Sequence, residues 1–330
     1  MKNRITRRRL SDFLSYEWIA MIVVAVVSII FWELIFTMTS VAPNVGQEFK
    51  IIYDEGVERG SQAIVNVLYE GEGEDKKFAF SFDVFEINTE TMSRGESVLN
   101  DRLSVHECDI LITDCIQPDK DAEFKDMRLK LLVDKEYIYN FNDLYSDALT
   151  YLSQYFKEGV DANSFVSGGY KISDLDESKI DSVFRTRLAK DNRFRTEAQK
   201  QEGFKMEMDR IEKLCVNVKR FKHLLDMGDE YFFMYTKYEQ SVGDDLSEKT
   251  KDLREHMALH GPQPYGLRAD KLTGSENHPS NYFKLYGTDS VENVIVTAID
   301  FKSYQPHLQY ETLAFINSLV LNCSNFYNGI

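Results

Sequence analysis

The sequence has no GxSxG nucleophile turn, no HExxH zinc helix and no phosphate-cradling P-loop. That removes the common signatures of hydrolases, metalloproteases and nucleotidyl enzymes and leaves no catalytic residue to name. Tryptophan is scarce: Trp18 and Trp32 both fall in the first 41 residues. The chain beyond has none, so Tyr and Phe must fill its core or stack on a ligand. Cys108, Cys115, Cys215 and Cys323 make no CxxC or Cys/His metal spacing, so neither metal nor cofactor is implied. Cys108 and Cys115 bracket DILITD. Read as a strand at about 3.3 Å per residue, that segment sets them about 23 Å apart, beyond disulfide reach. A Cys215–Cys323 bridge and free buried thiols both remain open.

The start of the chain is where the sequence speaks most directly. Lys2, Arg4, Arg7, Arg8 and Arg9 precede an apolar run from Trp18 to Val41. A bilayer crossing needs about 20 such residues at 1.5 Å rise each. A cleaved signal peptide would have an apolar region of about 7–15 residues ending in small residues. This run is longer, ends in bulky Trp32, Leu34, Ile35 and Phe36, and is followed by no lipid-accepting Cys. We therefore expect a basic cytoplasmic tail over 1–16 and a transmembrane signal-anchor helix over 17–41 that contacts the lipid bilayer. Everything from about residue 45 lies outside the cell membrane, because the positive charge precedes the span. Trp18 and Tyr16 suit the interfacial aromatic belt at the inner edge. Glu33 is the odd residue, since a carboxylate near the bilayer core seeks a partner or water. It either contacts another membrane subunit or sits wetted or protonated toward the outer leaflet.

Residues 1–44 hold five basic and three acidic side chains, so 45–330 carry −17 of the whole-chain −15. Such a surface argues against nucleic acid and against lying flat on anionic lipid. It keeps the domain soluble and favours neutral or cationic ligands.

Along the outer chain, Phe49–Tyr53 reads as a strand, Ser61–Tyr69 as helical, Phe78–Ile87 as a strand, Gly95–Leu103 as helical and Asp109–Asp114 as a third strand. That alternation implies parallel pairing through crossovers. Arg128–Tyr139 looks strand-like and Leu144–Phe156 helical. Residues 176–227 are charged and helix-rich, Tyr231–Tyr238 is a strand, and Asp244–His260 is a polar helix ended by Gly261-Pro262. Val291–Phe301 is a strong strand and Gln309–Leu321 an amphipathic helix.

In an open parallel sheet, ligands bind beyond the carboxyl ends of the strands. By that rule Asp54, Glu55, Glu86, Asp114 and Cys115 line a candidate ligand-binding crevice, unless they serve only as caps and turn residues. His256 and His260, at i and i+4, share a helix face but have no third ligand in sequence. The basic stretch Arg185 to Arg195 offers an anion site or a solvated face paired with nearby acids.

The order of these elements, with VENVIVTAIDF followed by LQYETLAFINSL and the Asp-apolar-apolar strand DILITD, resembles extracellular solute-binding proteins of ABC importers. Glu311, Ala314, Phe315, Ile316 and Leu319 stand at the spacing of that family's late helix. The resemblance implies an α/β, two-lobed periplasmic-binding-protein-like (type 2) domain behind the transmembrane helix. Lobe 1 would comprise 46–160 plus 270–330, and a helix-rich lobe 2 would comprise 161–269. It implies capture of an unknown solute or peptide near a transporter permease or other membrane subunit, or a role as a sensor. The family is commonly lipid-anchored through Cys and often uses a Trp to stack on sugars, and this chain has neither. The rival expectation is an envelope scaffold without a small ligand, in which Glu33 and the acidic surface contact partners; Trp18 and Trp32 are, with Glu33, the expected membrane or partner contacts. A carboxylate acid/base enzyme stands third.

Overall fold

A computed structural model describes residues 7–39, 48–64, 69–70, 77–78, 86–92, 96–105, 107–115, 123–161, 164, 169–187, 194–242, 247–272, 278–300 and 311–321. Helix α1 (Arg7–Thr39) contains Trp18–Phe36, which is long and apolar enough to cross a membrane. Met1–Pro43 and Asn44–Ile330 are separate compact units.

The second unit is built on a mixed six-stranded sheet. Its strands are β1 (Glu48–Tyr53), β5 (Glu86–Thr91), β6 (Ile110–Asp114), β7 (Phe232–Tyr235), β8 (Gln263–Arg268) and β10 (Val294–Ala298), in the order β5-β1-β6-β10-β8-β7. Two small ribbons pair β2 (Val57–Arg59) with β9 (Phe283–Leu285), and β3 (Tyr69–Glu70) with β4 (Lys77–Phe78). β1 pairs parallel with both β5 and β6, as the alternating strand and helix pattern implies, while β10 runs antiparallel to β6 and to β8.

The three central strands are mostly apolar because both faces are covered, with polar residues such as Glu48, Lys50, Thr113, Asp114 and Thr297 among them. Period-two alternation sends their side chains into two cores. Phe49, Ile51 and Tyr53 of β1, Ile110 and Ile112 of β6, and Val294, Val296 and Ala298 of β10 point to one core. Ile52, Leu111 and Ile295 point to the other. The first core is closed by α4 (Phe141–Ser153), α5 (Glu177–Arg187), α6 (Glu197–Leu225) and α9 (Glu311–Leu321). The second is closed by α2 (Glu96–Ser104) and α3 (Glu123–Asp134), with Tyr235 and Tyr265. Two short helices, α7 (Glu239–Val242) and α8 (Lys251–His260), lie between β7 and β8 in sequence.

Several expectations need correction. Arg128–Asp134 is the end of a helix, because Leu129, Leu132 and Val133 repeat at three- and four-residue steps and are all buried. Only Ile138 beyond it makes a strand-like bridge, to Ile299. Strand β5 begins at Glu86, where the sequence suggests an ending, and residues 79–85 lie outside the described set, as do most of Ser61–Tyr69. The two-lobed arrangement is not confirmed: β7 and β8, from 161–269, join the sheet that β1 and β6 build, within the unit Asn44–Ile330.

Candidate functional site

The chain steps from β1 to β5 on one side, then crosses back to β6 on the other. The carboxyl ends of β1 and β6 therefore form the topological switch point of the sheet. Four of the five expected crevice residues, Asp54, Glu55, Asp114 and Cys115, lie there. Asp54 follows β1 and is 2% exposed. Its carboxylate takes a hydrogen bond from Thr113 Oγ1 at 2.9 Å, another from the Glu55 amide at 2.8 Å, and an ion pair from Arg128 of α3 at 3.1 Å. Asp114 ends β6, also buried, with its carboxylate against Gly56; a Cβ on that glycine would overlap it. Cys115 is half-buried and its amide donates to the Asn293 carbonyl at 2.8 Å. Asn293 takes the left-handed φ of 61° that its residue type tolerates.

β8 runs parallel to β6, so its carboxyl end reaches the same edge and brings Arg268, paired with Asp270 at 2.8 Å. The Asp270 carboxylate holds the Arg268 guanidinium charged. Glu55 is exposed on the turn. The crest thus presents one exposed carboxylate, a half-buried thiol and an internally paired arginine over a pinned Asp54. No local pattern marks Arg128 or Arg268, which lie far along the chain in elements whose pairing decides their place.

Glu86 is not part of this edge. It opens β5 opposite Glu48, at the amino edge, a strand length of about 17 Å away at 3.3 Å per residue. Asp109 also lies at that edge, accepting the Lys50 amide at 2.7 Å; burial pushes its carboxyl up to about 7. The described cysteines 108, 115 and 215 are free thiols, and burial pushes Cys215 up to about 12; Cys323 lies outside the described residues. Arg185 is paired with Asp181 and Glu197, so this part of the basic stretch is a solvated, neutralised face.

A cavity of about 180 Å³ opens at the amino edge, near the far end of the sheet. The first turn of α4 supplies Asn140 and Asp143, the end of β7 supplies Thr236 and Lys237, α8 supplies His256 and His260, and β8 supplies Gln263 and Tyr265. The expected shared face of the two histidines is real: their rings lie 4.3 Å apart. Burial, with His260 and Lys237 nearby, holds the His256 imidazole below its ordinary range. Among the described residues no group of three or more His, Cys, Asp or Glu is arranged to hold a metal ion. Glu136 and Tyr238, which flank this cavity through Lys237, have left-handed φ of 64° and 70°. For non-glycine residues this conformation costs about 1–3 kcal/mol each and concentrates at functional sites.

No family model, no curated protein and no solved structure matches this chain.

Proposed function

We propose that the chain is a membrane-tethered binding module: α1 anchors it, residues 1–16 stay cytoplasmic, and the 44–330 unit captures a neutral or cationic solute or a peptide outside the cell. The ligand would lie on the crest beyond β1, β6 and β8, meeting Glu55, Asp114, Cys115 and Arg268. The observation that carries this reading is the switch-point position of Asp54 and Asp114. Asp54 acts as a positioning residue there, spending its own carboxylate on Arg128, Thr113 and the Glu55 amide. Because β7 and β8 share the sheet of β1, capture on a rigid crest fits this geometry better than hinge closure of two lobes. Tethering keeps the domain at high effective concentration beside a transporter permease or other membrane subunit, with Glu33, Trp18 and Trp32 as the contacts within the bilayer.

Thermal unfolding of purified 44–330 across solute and peptide panels tests the proposal. A ligand at 100 times its dissociation constant adds about 2.7 kcal/mol. The shift should shrink in Glu55→Gln and Cys115→Ser. Absence of any shift across the panels would favour the envelope scaffold instead.

A further inference from the structure

The cavity bounded by α4, α8 and the ends of β7 and β8 lies at the sheet edge opposite the crest and has no part in the binding reading above. We propose that it is a second site, for a small zwitterion: a free α-amino acid, or a compound pairing an ammonium with a carboxylate in the same way. Its volume of about 180 Å³ accommodates a molecule the size of an amino acid.

The walls carry both signs of charge. Lys237, His256 and His260 gather on the β7 and α8 side, and Asp143 stands on the first turn of α4. The Asp143 carboxylate and both imidazoles make no hydrogen bond or ion pair with the described residues, which leaves them for a ligand. Tyr265 feels both Lys237 and Asp143, so the two opposite charges flank one aromatic wall. A simple anion would meet Asp143, and a simple cation would meet Lys237 and the imidazoles; a ligand carrying both charges satisfies both sides. Glu136 is the one acidic group acting on His256 against burial, His260 and Lys237, and a bound carboxylate adds to it on that side. The Lys237 ammonium is mostly shielded from solvent and shared with Glu136, which holds it at the cavity.

Isothermal titration of the full-length protein in nanodiscs with a panel of free amino acids tests this, with the N-acetyl and carboxamide derivatives of the best binder alongside. The free amino acid should bind, and each derivative, lacking one charge, should bind about tenfold more weakly, equivalent to about 1.4 kcal/mol. Asp143→Asn should weaken the free amino acid but hardly change the N-acetyl form. His256→Gln with His260→Gln should weaken the free amino acid but hardly change the carboxamide. The derivative series requires no mutant to fold, and thermal midpoints report the fold of the variants. No binding at millimolar concentration, equal binding of all three forms, or undiminished binding in the folded variants would each overturn the proposal.

Discussion

Replacing Arg128 by Met leaves the Asp54 carboxylate buried without its cation. The Asp54 side chain is 3% exposed and that of Arg128 17%, so water screens this pair far less than a surface one. Breaking a buried pair by deleting one partner costs about 3–5 kcal/mol. Thr113 and the Glu55 amide still donate to Asp54, which places the expected loss near the lower figure. For a domain of this size each kcal/mol lowers the midpoint by about 2–4 °C, so a fall of about 6–12 °C is expected. The assay is denaturant or thermal unfolding of 44–330 followed by circular dichroism. Asp54→Asn combined with Arg128→Met should recover much of the loss, because the amide oxygen can accept from the Glu55 amide while the amide NH2 donates to Thr113 Oγ1, whose hydroxyl can turn to accept. A loss below about 1 kcal/mol for Arg128→Met would mark an ordinary surface pair and refute the account of a pinned crest.

Three further outcomes follow from burial. Asp109 titrates at about 7 in the folded chain against an ordinary value of 3.8, so the folded state binds the extra proton and stability falls as pH rises through that window. Asp109→Asn, which keeps an acceptor for the Lys50 amide, should be more stable than the parent above pH 7, and the gap should close below about pH 4, as read by unfolding at several pH values. Native-state labelling with a thiol reagent should modify Cys115 long before Cys108 or Cys215, whose buried thiols are pushed up, as peptide mapping of the labelled chain would report. Phe315→Ala removes a fully buried ring packed 5.7 Å from Phe49 and should cost about 3–5 kcal/mol in the same unfolding assay.

The strands at the centre of the sheet were legible because they are apolar on both faces: FKIIY, DILITD and VENVIVTAIDF announce themselves without any partner. The parallel pairing of β1 with β5 and β6 followed from their alternation with helical segments. The short apolar run after Arg128 was not legible, since four residues do not distinguish a strand from a helix, and burial of Leu129, Leu132 and Val133 on one helical stripe decided it. Glu86 was misplaced for a related reason. The aromatic alternation FAFSFDVFEI fixes a strand-like composition but not the register at which pairing begins, and β5 starts where that run ends. Of the crest, Asp54, Asp114 and Cys115 could be found from strand ends alone. Arg128 and Arg268 could not, because tertiary pairing brings them there. At the cavity, the histidine pair was readable from its i, i+4 spacing, whereas Asp143 and Lys237 carry no local signal that they meet.

The account depends first on which side of the bilayer the 44–330 unit occupies. Protease added to intact cells should digest that unit and leave a small membrane-embedded stub containing the basic tail. Survival of the whole unit until the cells are broken open, followed by its digestion, would place it in the cytoplasm and contradict capture of an external ligand.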